Sequence, residues 1–88
     1  MSDKISDLLK DREKTHGDYS TTAYLAQVIK TDLREGGNNW DDLAANQQES
    51  LDMIATKMAR IVCGDFTAAD HWLDIEGYAR LARECLNK

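Results

Sequence analysis

Residues 40–64 read WDDLAANQQESLDMIATKMARIVCG, and the apolar positions Leu43, Leu51, Ile54, Met58, Ile61 and Val62 recur at the three- and four-residue intervals of a helix with one apolar face. Asp41 and Asp42 stand where the positive end of a helix dipole favours carboxylates, and Gly64 is placed to cap the far end. The stretch is therefore read as one long helix entered through Trp40. After Gly64, Thr67-Ala68-Ala69-Asp70 has the spacing of a capping box, and Leu73, Ile75, Tyr78, Ala79, Ala82 and Cys85 continue the helical period to near the C-terminus. Working back toward the N-terminus, Gly36-Gly37-Asn38-Asn39 stops a helix that Asp18 or Ser20 can cap and that runs to about Arg34, with Tyr24, Leu25, Val28 and Leu33 on one side. Before it, Ile5, Leu8 and Leu9 make a short amphipathic helix of about Asp3 to Lys14, ended by the His16-Gly17-Asp18 turn.

The chain has no proline, and four of its five glycines fall between helical segments. An all-α fold follows: a small antiparallel bundle of about four helices, one domain over residues 1–88, with no repeat, linker or low-complexity segment. A chain of 88 residues has no room for a second core and buries a modest share of its surface, so completion by further copies of itself is expected. Trp40, Tyr24, Trp72 and Tyr78 are expected in the core or at a subunit interface. Gly77, inside a good helix, is expected to mark close packing against another element or close approach of a ligand. Arg80, Arg83 and Lys88 suit the negative end of the last helix as a solvated turn.

Composition excludes several classes. No run approaches the roughly 18 apolar residues of a membrane span, and MSDKISDLLKDREK has neither a signal-peptide apolar region nor transit-peptide composition, so the cytoplasm is the expected compartment. With 16 acidic against 11 basic residues the chain lacks the positive field of a general nucleic-acid binder, which leaves room only for a local basic patch. Cys63 and Cys85 show no metal-ligand spacing and are read as reduced, buried, small apolar residues.

Two polar groups stand out. Lys57 and Arg60 interrupt the apolar run of the third helix, while Asp70 and Asp74 lie one turn apart on the fourth. Paired carboxylates can hold a divalent cation and the two cations can hold phosphate oxygens, which together would suit a nucleotide. The plainer alternative, which spacing alone favours, is that Asp70 caps its helix at Thr67 and Asp74 forms a structural ion pair with Arg60 or Lys57. The second group is Arg12, His16, Asp18 and Tyr19 around Gly17, a turn able to contact a base or a phosphate. His16 titrates near neutrality, as a general acid or base must, yet a lone loop histidine is more often solvated. His71 is expected to be exposed and without a role.

Arg12 with His16-Gly17-Asp18, then Lys57 with Arg60, then Asp70, Asp74, Gly77 and Tyr78 resemble, in that order, the Arg...(Tyr/His)-Gly-Asp, Lys-x-x-Arg and Asp-x-x-x-Asp-x-x-Gly-Tyr elements of a family of small phage and prophage proteins classed as a domain of unknown function. The resemblance spans about residues 8–82. Tyrosine is commoner than histidine at the position of His16, so no role for that side chain follows from it. The resemblance implies a helical fold, a phage setting in an infected bacterium, and a distant similarity to the MazG-like nucleoside triphosphate pyrophosphohydrolases. Those enzymes hold magnesium with Glu-x-x-Glu and Glu-x-x-Asp pairs. This chain departs from that pattern, offering Glu49 with Asp52 and Asp70 with Asp74.

The favoured expectation is a non-enzymatic homo-oligomer that binds a nucleotide or nucleotide-derived signal, sequestering a host immune messenger without cofactor or turnover. Its ligand-binding residues would be Arg12, His16, Asp18, Lys57, Arg60, Asp70, Asp74 and Tyr78. One alternative is a magnesium-dependent nucleotide pyrophosphohydrolase using Glu49, Asp52, Asp70 and Asp74. Another is a module that inhibits a host protein through the acidic stretch from Glu35 to Asp52, which carries no Lys or Arg.

Overall fold

The structure, a computed structural model, describes residues 3–86. Among them are four α-helices: α1 (Lys4–His16), α2 (Tyr19–Gly36), α3 (Ala45–Cys63) and α4 (Ala69–Cys85), with one 3-10 turn at Trp40–Asp42 and no strand. The protein is an all-α small bundle. Asp3 caps α1 by accepting the Ile5 N–H (3.0 Å), and Asp18 caps α2 by accepting the Thr21 N–H (3.1 Å).

Two helix starts differ from the sequence reading. Trp40, Asp41 and Asp42 do not lead directly into α3 but form their own turn, and α3 begins at Ala45, where Gln47 Oε1 accepts the Ala44 N–H (2.8 Å). The turn closes on its own backbone, is tied to α3 by Gln48, whose side-chain amide donates to the Trp40 carbonyl (2.8 Å), and is braced from α2 by Arg34, whose guanidinium sits over the Trp40 ring, 5.1 Å from the centroid, and forms two bonds to the Asp52 carboxylate (3.1 and 2.9 Å). The expected Thr67–Asp70 capping box is absent as well. Thr67 instead gives its N–H (2.9 Å) and its hydroxyl to Asp65, so the preceding turn fixes the entry to α4 and leaves Asp70 exposed.

The centre of the molecule is α3, packed on α4 and on α2. Contacts between α2 and α3 run in opposite chain order, Gly17 with Cys63 at one end and Arg34 with Asp52 toward the other, so these two helices are antiparallel, and α4 returns along α3 after a short connection, with Asp74 against Lys57. What meets at the centre is small: the buried apolar residues are Ala26, Ala55 and Ala59, with Thr22 and Ser50 beside them. Side chains of this size let helix axes approach closely, and they turn α2 so that Thr22 and Ala26 face inward. This overturns the expected α2 face. Tyr24 is 74% exposed, and Val28 and Leu33 are also open to solvent.

None of the four aromatic residues expected in the core or at a subunit interface is buried within the chain. Trp72 is exposed like Tyr24, whereas Trp40 and Tyr78 are half-buried. Cys63 and Cys85 are free and half-buried rather than buried. Arg80 and Arg83 are exposed as expected, and Lys88 lies outside the described residues. Among the described residues no helix is long and apolar enough to cross a membrane.

The molecule is elongated, 51 × 26 × 24 Å with a radius of gyration of 15.1 Å, where a compact chain of this length would have about 12 Å. No residue of α1 is buried. This helix is held by its C-terminal end and diverges from α2 beyond it.

Candidate functional site

The site is built at that end. Gly17 is buried at φ +86°, a conformation open to glycine, and its α carbon lies against the carbonyl of Cys63. Gly64 returns the contact, lying against the Thr15 carbonyl and the His16–Gly17 peptide. The Thr15 carbonyl, one of the last acceptors of α1 and so without a partner inside that helix, takes the Asp65 N–H (2.9 Å) and the Nε2–H of His71 (3.3 Å). The Thr22 hydroxyl sits between the carbonyls of His16 and Asp18, at 2.9 and 2.8 Å. The α1–α2 turn is thereby clamped onto the α3–α4 turn with its polar groups satisfied.

His71 is the largest departure from the sequence reading. It is only 2% exposed, and its ring lies 5.0 Å from that of His16. Its neighbour Asp70 is exposed. No spacing within α4 could have signalled this, because the partner carbonyl lies 56 residues earlier in the chain.

Where α1 diverges from α2, the two helices and α3 enclose a cleft of about 750 Å³ lined by Leu9, Arg12, Glu13, His16, Gly17, Asp18, Tyr19, Thr22, Ala23, Ala26, Gln27, Lys30, Thr56 and Arg60. Arg12, His16, Asp18 and Arg60 of the sequence-derived set thus line one cleft, the first three from α1 and the turn after it and the last from α3. Lys30 was missed there, although Tyr19, Thr22, Ala26 and Lys30 share one face of α2 by spacing. Among the described residues, neither Arg12 nor Lys30 nor Arg60 has a carboxylate within ion-pair distance. Asp18 is held by the Thr21 N–H and hydroxyl. Burial, and then the positive charges of Arg60, His71, Lys57 and Arg12, hold the His16 pKa below its ordinary value of 6.5.

The other expected residues lie elsewhere. Lys57 is paired with Asp74 at 2.9 Å, and Asp74, its pKa lowered chiefly by that hydrogen bond, faces a separate groove of about 290 Å³ with Leu73, Gly77, Tyr78 and Leu81. The ion-pair alternative for Asp74 is the arrangement found. Asp70 lines neither depression, and at Gly77, expected to mark close packing or close approach of a ligand, a Cβ would meet no other part of the protein within 4 Å among the described residues. Of the carboxylates considered for metal, Asp52 faces Arg34 and Asp74 faces Lys57, and no group of three or more His, Cys, Asp or Glu side chains is gathered for an ion among the described residues.

Fold and cleft together define a class: a small all-helical protein with an open cleft at the junction of three helices, lined by three cations, the carboxylates of Glu13 and Asp18, and apolar and neutral polar side chains. A family model described as a domain of unknown function, DUF6378, matches residues 3–86, and the chain belongs to that family. No curated protein and no solved structure matches it.

Proposed function

We propose that the protein binds an anionic, nucleotide-like small molecule in the cleft between α1, α2 and α3 and holds it without converting it. The observation that carries this reading is that Arg12, Lys30 and Arg60 line one cleft, outnumber the carboxylates of Glu13 and Asp18 in the same lining, and have no carboxylate within ion-pair distance among the described residues. Unpaired cations around a concavity attract phosphate groups, with arginine adding two parallel donors in a fixed fork. The volume lies within the roughly 300–1,000 Å³ usual for small-ligand sites. Leu9, Ala23 and Ala26 offer an apolar wall for a base, and Gln27 and Thr56 offer polar groups beside it. His16, neutral at pH 7, can donate or accept one hydrogen bond.

In this reading the ligand residues are Arg12, His16, Lys30 and Arg60. Asp18 shapes the turn, and Lys57 contributes charge from behind its ion pair with Asp74. The setting is the cytoplasm of an infected bacterium, where retaining a nucleotide-derived messenger would silence a host response. The test is to incubate the purified protein with a pool of nucleoside triphosphates and cyclic nucleotides plus magnesium, then to quantify free, heat-released and converted species. A species that disappears and returns intact on heating supports retention. Monophosphate and pyrophosphate accumulating beyond one equivalent would replace it with hydrolysis, and an unchanged pool would overturn it.

A further inference from the structure

Among the residue types that line the cleft, histidine alone ordinarily changes charge between about pH 5 and 8, and the lining holds one, His16. Its place is fixed by the clamp. It is the last residue of α1, its carbonyl takes the Thr22 hydroxyl (2.9 Å), and its ring lies 5.0 Å from that of His71 with the two planes inclined at 54°. His71 is buried, lines no part of the cleft and has its Nε2 on the Thr15 carbonyl (3.3 Å). The clamp thus backs His16 with a fixed ring, and the cleft leaves it open to a ligand.

The charges around His16 are mostly of one sign. Arg12 acts on it from its own helix, Arg60 and Lys57 from α3, and His71 from α4 whenever that ring is protonated, so burial and these charges make a proton on His16 costly in the empty cleft. Tyr19 and Lys30 of α2 line the same cleft. Of the carboxylates close by, Asp18 takes the Thr21 N–H and hydroxyl, Asp65 takes those of Thr67, Asp74 holds Lys57, and Glu13 shares the lining. An anion seated among Arg12, Lys30 and Arg60 reverses this balance. It offsets the cations that oppose the proton and places a charged acceptor beside the ring, and both effects favour the imidazolium form.

We infer that an anion entering the cleft is bound together with a proton, taken from solvent onto His16, so that retention tightens as the solution is acidified. This rests on the anion site proposed above and adds its regulation. By reciprocity, the factor by which the bound anion raises the proton affinity of His16 is the factor by which protonated His16 raises the affinity for the anion. The His16 midpoint is therefore higher in the complex than in the free protein. Affinity is lowest above the bound midpoint, climbs as pH falls between the two, and levels off below the free one.

The test follows the ring resonances of both histidines, assigned through the backbone, by nuclear magnetic resonance from pH 8 to pH 5. The probes are cyclic AMP and inorganic sulfate, whose charges are constant over that range, each compared with sodium chloride of equal ionic strength. Wild type is expected to show the His16 midpoint rising by about half a pH unit or more on binding, and affinity increasing about threefold or more across the range. His16→Gln is expected to bind without that pH dependence. A probe that shifts the amides of Arg12, Lys30 and Arg60 while the His16 midpoint stays put, or moves no more than that of His71, would overturn the inference and leave the anion site standing. An equal pH dependence in His16→Gln would overturn it too. If neither probe shifts those amides, the site and the inference fall together. Should His16→Gln fail to fold, the wild-type midpoint decides alone.

Discussion

Gly17 and Gly64 touch backbone to backbone, 47 residues apart in sequence, and through that contact the turn between α1 and α2 is locked onto the turn between α3 and α4. Neither surface can yield to a methyl group, because what it would meet is main chain. Gly17→Ala adds the cost of a positive φ, of order 1–3 kcal/mol, to the clash with the Cys63 carbonyl. Each alanine variant is expected to lose more than about 2 kcal/mol in urea denaturation, a large share of a small domain's stability. Gly77→Ala, whose Cβ would meet no other part of the protein among the described residues, should change stability by less than about 1 kcal/mol, in the stabilising direction.

The contrast between these glycines also shows how much could be read from sequence. Helix number, the Asp18 cap and the stop after α2 follow from local signals, since punctuation and capping act over a few residues. Which faces turn inward does not. The α2 reading followed Tyr24, Leu25, Val28 and Leu33 because they are large, whereas the seam is made by Ala26, Ala55 and Ala59, whose small size is what lets the axes approach. The cleft was half legible: Arg12, His16, Asp18 and Arg60 were identified separately, and their convergence depends on the Gly17–Gly64 contact, which no periodicity encodes. Asp70 carried a motif without carrying a contact.

Stability should fall with acid in two separate windows. His16 has a folded pKa below 6.5, so the unfolded chain takes up the proton first, and stability declines as pH drops from 6.5 through the lower folded value. Asp74 has the opposite pairing with its charge: held below 3.8 by Lys57, it contributes stability above that value and loses it as pH falls through its own lower pKa. Melting temperatures measured from pH 8 to pH 3 should show both declines. His16→Gln should remove the upper one alone, and a profile unchanged by that substitution contradicts the assignment.

Lys57 and Arg60 lie one helical turn apart but are expected to fail differently. Lys57 has a side chain only 12% exposed and is bound to Asp74, so Lys57→Ala should lower the melting temperature and leave Asp74 without its partner. Among the described residues Arg60 has no carboxylate within ion-pair distance, and Arg60→Ala should leave melting nearly unchanged while removing one charge-assisted contact to an anion, about 1.5–3 kcal/mol of binding. Thermal melts and ligand titrations of both variants would separate the two roles. Loss of stability in Arg60→Ala equal to that in Lys57→Ala would place both in the framework.

Arg34 ties the end of α2 to the start of α3 through Asp52 and covers Trp40. The pair is partly exposed, so Arg34→Ala is expected to cost no more than about 1 kcal/mol. Its clearer signature is local. Amide exchange should accelerate around residues 38–44 and remain slow at Ala55 and Ala59. Uniform acceleration across α3 would show that Arg34 supports the whole bundle instead.

The most direct test of the cleft as an anion site compares wild type with Arg60→Ala and Arg12→Ala in retention of the mixed nucleotide pool, with folding verified by circular dichroism in each sample. The account predicts that wild type removes a species and releases it intact on heating, and that each variant retains at least tenfold less while keeping its helical spectrum. Retention unchanged in both variants, or none by the folded wild type, would contradict it.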